Sequence, residues 1–302
     1  MALGVSDAPR WVPVRFLYDA RGSALFDEIT QLPEYYPTRT EAAILREHAT
    51  DIAAATGPVT LIELGAGSAA KTGLLLEAYS ECGEGVAYVP VDVSESALKA
   101  AQARIAEAHP RVAFEGVVGT YEDAFPLIAQ REPAMVVFLG STIGNFAHAE
   151  SYAFWSGLSA GTPPGNFFLV GIDLVKDPAI LEAAYNDAAG VTARFTTNLF
   201  ERMNRELGAE LDLSAIEHEA CYNAEWQRIE IFARFTKTQL LHLKPLRRTI
   251  EIEAGAKILT EISRKFVLPH FEEFVRCFDF SIVHTFTDEQ QWFAVLLLEK
   301  QE

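Results

Sequence analysis

The feature that most constrains this chain is Glu63-Leu64-Gly65-Ala66-Gly67-Ser68, two glycines set between an apolar run and a helical pattern that begins at Lys71. A strand that turns on glycine into a helix opens a βαβ unit, because only glycine lets the backbone turn so tightly and lets a ligand approach it closely. The alternation continues. Short apolar or β-branched runs at 59–64, 86–92, 112–118, 134–140 and 167–173 are separated by longer helical stretches, which predicts a parallel sheet.

The segment 71–81 places Leu74, Leu75, Ala78 and Tyr79 on one face and should stop at Gly83, where a left-handed cap is cheap. The segment 94–108 starts on Ser94, a capping residue, sets Leu98, Ala101 and Ile105 on one stripe and ends before Pro110. Ahead of the sheet, Thr38-Arg39-Thr40-Glu41 has the spacing of a capping box and is followed by Ile44, Leu45 and Ile52 at helical intervals. A helix is therefore expected to lead into the sheet.

After Asp173 the pattern changes to a helical segment at 178–208, then strands within 220–235, 239–243 and 249–253, which reads as an inserted α+β lobe. The tail returns to strands at 280–287 and 292–298 around the polar turn 288–291. A terminal antiparallel hairpin on a parallel sheet is the arrangement typical of class I methyltransferases. The expected fold is thus α/β, a Rossmann-like class I sheet of residues 40–174 and 266–302 with a smaller α+β domain of residues 1–39 and 175–265. At 302 residues and 49% hydrophobic content, the chain can fill one large core and one small one.

Composition narrows the function. There are 42 acidic residues against 25 basic ones, a formal charge of -17, so a phosphate backbone is repelled and nucleic acid is excluded as a partner. Cys82, Cys221 and Cys277 are far apart, with no C-x-x-C pair and no secretory leader ahead of them, and read as reduced thiols of a cytoplasmic protein. No apolar stretch approaches the roughly 20 residues of a membrane span, so a soluble protein with no membrane partner is expected. The seven histidines lack metal-ligand spacing, so no metal is expected either. The expectation is a monomer acting on a small molecule.

A Gly-x-Gly after a strand serves NAD, FAD and S-adenosylmethionine alike, and is also found in plain tight turns. Asp92, at the end of the second strand, can accept hydrogen bonds from both ribose hydroxyls of an adenosyl group; its second, lesser reading is an acid at a helix N-terminus. The fourth strand opens into Gly140-Ser141-Thr142-Ile143-Gly144-Asn145-Phe146, a small polar loop at the edge of the sheet where open α/β folds bind ligands. The dinucleotide fingerprint is incomplete, with no third glycine before Lys71, and Glu63 suits a sulfonium and an ammonium better than a pyrophosphate. S-adenosylmethionine is ranked ahead of a nicotinamide.

Five segments carry a resemblance: Tyr18-Asp19-Ala20-Arg21-Gly22-Ser23 with Leu25-Phe26; Pro33-Glu34-Tyr35-Tyr36-Pro37-Thr38-Arg39; Glu63-Leu64-Gly65-Ala66-Gly67; Ser141-Thr142-Ile143-Gly144-Asn145; and Thr260-Glu261-Ile262-Ser263. On these the chain resembles the histidine Nα-methyltransferase family of ergothioneine biosynthesis, over residues 15–299. The resemblance implies Gly65, Lys71, Asp92, Thr120 and Tyr121 around S-adenosylmethionine, beside the Gly67 and Gly140 of the loops. It implies Tyr35, Asn145, Tyr185, Glu261 and Ser263 around the amino acid, with Tyr18 covering the pocket, and three methyls added to one nitrogen. Two departures stand out: Thr120 where the family has an acid at the adenine end, and Ile231 where it has a methionine near the substrate side chain.

Methyl transfer from a sulfonium is a direct displacement, so the site has mainly to align a neutral amine with the methyl carbon. Asn145 and Tyr185 are suitable neutral donors for the carboxylate, although Tyr185 also reads as a half-buried helix aromatic. Tyr35, in the Tyr35-Tyr36 pair flanked by prolines, offers an oxygen and a ring face to an ammonium, or else packs the leader on the core. Tyr35 and Asn145 are the expected catalytic residues. Glu261 can pair with an imidazole N–H, and Ser263, two residues on in a strand, points the same way; both also read as an exposed strand face. Histidine is therefore placed ahead of tryptophan. The rivals are an Nα-methyltransferase for tryptophan or another aromatic amino acid, favoured by Ile231, and a non-catalytic S-adenosylmethionine-binding protein, allowed by Thr120; an oxidoreductase ranks last.

Overall fold

In a computed structural model, residues 4–67, 69–82 and 85–302 are described, so Ser68 of the glycine loop and the cap expected at Gly83 lie outside the described residues. The strands are β1 (Arg10–Trp11), β2 (Thr60–Leu64), β3 (Val86–Asp92), β4 (Val112–Phe114), β5 (Val117–Val118), β6 (Ala134–Phe138), β7 (Phe167–Asp173), β8 (Ile216–Asn223), β9 (Arg228–Phe235), β10 (Gln239–Leu243), β11 (Arg248–Ile252), β12 (Lys257–Arg264), β13 (Phe280–Thr287) and β14 (Phe293–Lys300). The α-helices are α1 (Ala20–Thr30), α2 (Tyr36–Thr56), α3 (Thr72–Cys82), α4 (Glu95–Ala108), α5 (Tyr121–Ile128), α6 (His148–Gly161), α7 (Pro178–Ala183), α8 (Val191–Leu207) and α9 (Leu268–Arg276). The chain divides into two compact units, residues 37–175 with 266–302, and residues 1–36 with 176–265.

The first unit holds the large sheet, in the order β13-β14-β7-β6-β2-β3-β4, with β5 also paired to β3. From β4 to β7 all neighbours are parallel, whereas β14 runs antiparallel to both β7 and β13. With β4 and β5 counted as one edge strand, the spatial order is third, second, first, fourth, fifth, seventh, sixth, and this is the class I methyltransferase sheet. Successive strand residues enter two different cores. Ile62, Val89, Val136 and Val170 face one side, where Phe154 and Phe271 pack. Leu61, Tyr88, Val137 and Leu169 face the other, with Leu45, Leu75 and Ile105. Burial on both faces explains why these strands are continuous apolar runs rather than alternating ones, each large side chain contributing roughly 1.5–3 kcal/mol.

Two local expectations fail in this unit. The strand expected unbroken over 112–118 splits at Glu115 and Gly116, since an edge strand has a single ladder to hold it and glycine adds no side chain to pack. The helix before the sheet starts at Tyr36, not at the Thr38 box, with Pro37 in its first turn, where a missing N–H costs nothing. Glu41 is consequently fully buried rather than capping.

The second unit is a four-stranded sheet, β1-β12-β9-β8, with a separate β10–β11 ribbon. Helix α8 packs on α1 and against β8 and β9. The helix expected across 178–208 is two helices, α7 and α8. Asp187 breaks it by accepting hydrogen bonds from the Val191 and Thr192 amides at 2.7 and 2.8 Å, after Gly190 turns the chain at φ 69°.

Candidate active site

At the carboxyl end of β2 the backbone turns through Gly65 at φ 69° and Gly67 at φ 50°. The Gly67 N–H donates to Asp92 Oδ2 at 3.1 Å, and the Ser94 N–H donates to Asp92 Oδ1 at 2.8 Å. Each carboxylate oxygen thus keeps acceptor capacity. A side chain on Gly67 would meet nothing within 4 Å, whereas one on Gly65 would lie 3.5 Å from the Tyr121 ring. That ring meets Phe138, Phe146 and Phe154 edge-on, and burial pushes its hydroxyl up to about 12. The arrangement fits an adenosyl group: a glycine, Gly67, with open space where a side chain would stand, a carboxylate with lone pairs to accept ribose hydroxyls, and an apolar ring.

Thr120 departs from a simple adenine contact. Its N–H and hydroxyl both donate to Asp123 Oδ2, at 2.7 and 3.0 Å, capping α5. The donor is committed, and only the oxygen lone pairs remain for a ligand. Glu63 also differs from its expected part. It is buried, its oxygens take the Thr72 and Tyr88 hydroxyls, and burial pushes it up to about 7, so it braces the loop rather than meeting a cation.

Lys71 is paired with the buried carboxylate of Glu41, which also accepts the Gly140 N–H at 2.8 and 2.9 Å. Glu41 Oε1 stands 1.9 Å from where a Gly171 side chain would begin, so only glycine fits there. Glu41, expected only as the acid of a capping box, stands on the stripe of Ile44, Leu45 and Ile52, where an acid is out of place. Beyond Gly140, at φ 79°, Ser141 holds a left-handed φ of 53° and its Oγ accepts the Asp173 N–H at 3.0 Å. This holds the turn Thr142–Asn145 on β7. Asn145 is half-buried, and among the described residues nothing hydrogen-bonds its amide.

In the other unit, β12 carries a bulge between Leu259 and Glu261. Ile258 pairs with Ala233 before it, and Glu261 pairs with Ile231 after it, so the extra residue, Thr260, switches which face the following side chains occupy. Glu261, Ser263 and Lys265 thereby share the face of Ile229 and Ile231. Glu261 is half-buried. Burial pushes its carboxyl up to about 7 against the pull of Lys265, and among the described residues it accepts no hydrogen bond.

Tyr185, just past α7, donates its hydroxyl to Ser263 Oγ at 2.9 Å, and its backbone oxygen is 2.8 Å from His218 Nε2. Burial lowers the His218 pKa, which keeps that ring neutral. Tyr35 stands edge-on to Tyr185 at 5.9 Å and to Phe26 at 6.2 Å. Tyr18, 39% exposed, leans on Phe26 and Phe195 at 5.6 and 5.5 Å. The expected Tyr18, Tyr35, Tyr185, Ile231, Glu261 and Ser263 thus belong to one unit. Gly65, Gly67, Lys71, Asp92, Thr120, Tyr121, Gly140 and Asn145 belong to the other. Phe195, His218 and Lys265 touch these residues without having been singled out in the sequence, and Phe26 entered only as part of the Tyr18 motif.

Residues 1–300 match the model of a family described as histidine-specific methyltransferase, SAM-dependent. A histidine N-alpha-methyltransferase of Mycolicibacterium smegmatis is 44% identical over 263 residues, 87% of this chain and 82% of that protein. One from Mycobacterium tuberculosis is 41% identical over the same shares. Ergothioneine biosynthesis protein 1 of Neurospora crassa is 32% identical over 269 residues, covering 86% of this chain and 31% of the larger protein. With its sheet order and a family match across nearly its whole length, the chain belongs to the S-adenosylmethionine-dependent histidine-specific methyltransferases.

Proposed function

We propose that this protein transfers methyl groups from S-adenosylmethionine to the α-amino nitrogen of L-histidine, up to the trimethyl betaine. The observation that carries the substrate choice is Glu261, a half-buried carboxyl that accepts no hydrogen bond among the described residues and sits opposite Ile231. A buried acceptor without a donor is costly, and an imidazole N–H offsets that cost where an aliphatic side chain would not.

The cofactor supplies an electrophilic methyl on a positively charged sulfur. Asp92 would accept the ribose hydroxyls, Gly65 and Gly67 give the backbone room, and Tyr121 offers its ring face. Lys71, anchored by Glu41, brings an ammonium to Gly140. On the substrate side Tyr35 would orient the amine, Asn145 and Tyr185 would donate to the carboxylate, and Ser263 would bind a polar atom of the amino acid. No residue need act as a nucleophile, since the amine attacks once it has lost its proton and is aligned.

The test is to incubate the protein with S-adenosylmethionine and an equimolar mixture of the twenty amino acids, then read methyl mass gains. Histidine alone should gain methyls. Gain on tryptophan would move the substrate assignment to an aromatic amino acid, and no gain on any would leave a cofactor-binding protein without turnover.

A further inference from the structure

Lys265 is a buried cation that the chemistry above leaves unused. It is 2% exposed, and a buried ammonium is tolerated only where its donors find acceptors. Its Nζ donates to Ser263 Oγ at 2.8 Å and to the Tyr185 hydroxyl at 3.0 Å, while those two oxygens are 2.9 Å apart. The three polar atoms close a triangle, and Nζ also lies 4.9 Å from the centre of the Tyr185 ring. Two corners of that triangle are residues expected to hold the substrate.

Counting hydrogens shows what the ammonium does. It can only donate, so both hydroxyl oxygens must accept from it. Of the two hydroxyl hydrogens, that of Tyr185 closes the contact to Ser263, which leaves the Ser263 hydrogen to point elsewhere. Without the ammonium each hydroxyl could rotate between donor and acceptor roles; with it, the pair presents one hydrogen in a set direction, the complement of an acceptor such as a carboxylate. The same charge draws Glu261 back toward its ionised form.

We propose that Lys265 is a positioning residue of the amino-acid site, which acts by fixing the Tyr185 and Ser263 hydroxyls. This rests on the reading that the two hydroxyls face the substrate.

The experiment is a double-mutant cycle of Lys265→Met with Tyr185→Phe, read as KM and kcat for histidine and as the affinity for S-adenosylhomocysteine. Loss of a charge-assisted contact predicts that Lys265→Met raises the histidine KM about tenfold or more, with kcat changed less than about threefold and S-adenosylhomocysteine affinity unchanged. Because Lys265 acts through Tyr185, the double variant should be little worse than the poorer single variant. Lys265→Arg should recover part of the loss. Additive effects, or a loss shared equally by histidine and S-adenosylhomocysteine, would overturn the proposal. Should Lys265→Met lose its melting transition, Lys265→Gln, which keeps two N–H donors without the charge, decides in its place by the same cycle. A wild-type protein that methylates another amino acid overturns the histidine assignment alone, since the cycle is then read with that substrate; one that methylates none overturns both.

Discussion

Glu63 in the sheet unit and Glu261 in the smaller unit are both pushed up to about 7 by burial, yet their surroundings differ in kind. Glu63 takes a hydroxyl on each oxygen, from Thr72 and from Tyr88, whose own phenol is driven up by the same burial. Glu261 takes none among the described residues and is eased only by the charge of Lys265. A displaced carboxyl is therefore not by itself the mark of a binding site. The difference lies in unspent lone pairs: Glu63 is complete within the fold, and Glu261 is complete only with a ligand that brings an N–H.

The largest effect should come from breaking the second half of that contrast. Glu261→Ala should lower kcat/KM for histidine about a hundredfold, the worth of a hydrogen bond to a buried charge, and leave S-adenosylhomocysteine affinity within about twofold. Its pH signature is distinct. The raised carboxyl is ionised above about 7 and protonated below, so wild-type histidine affinity should weaken on acidification through that range, by up to about tenfold per pH unit; Glu261→Gln should flatten this fall. Equal loss of both ligands would make Glu261 a structural acid like Glu63. The converse change, Glu63→Ala, strands the Thr72 and Tyr88 hydroxyls, each worth roughly 1–3 kcal/mol, and should lower the melting temperature on the order of 5–10 °C. It should leave the ratio of histidine to tryptophan turnover unchanged. A variant with native melting but altered amino-acid choice would erase the distinction between the two carboxyls.

The elements legible in the sequence are those that the backbone decides locally. The apolar runs of β2, β3, β6 and β7 and the cap at Ser94, which accepts the Ala97 N–H at 3.2 Å, depend on neighbours a few residues away. The same holds for the two glycines of the loop and for Asp92 at the end of its strand. What escaped depends on distant partners. Glu41 has the spacing of a capping residue, and nothing near it in the chain shows that it meets Lys71 and Gly140, 30 and 99 residues on. The break between α7 and α8 turns on Asp187 bonding forward, which helical periodicity does not register. The bulge at Thr260 matters most for the site, since it sets the face of Glu261, Ser263 and Lys265, and it shows only once β12 is paired with β9.

The smallest expected effect concerns the wall beside Glu261. Ile231 is 2% exposed and lies directly across the strand pair from Glu261, close enough for the two side chains to share one ligand group. Its branch at Cβ fixes χ1 and narrows the space beside the carboxyl, whereas methionine has a similar volume, no branch and a pliable sulfur end. Ile231→Met should therefore cost less than about 1.5 kcal/mol of stability, as volume-conserving core changes do. If Glu261 decides the side chain and Ile231 only shapes the space, competition between histidine and tryptophan should move toward histidine by no more than about fivefold. A shift on the scale of the Glu261→Ala loss, or a shift toward tryptophan, would mean that the apolar wall selects the substrate and the carboxyl merely tolerates it.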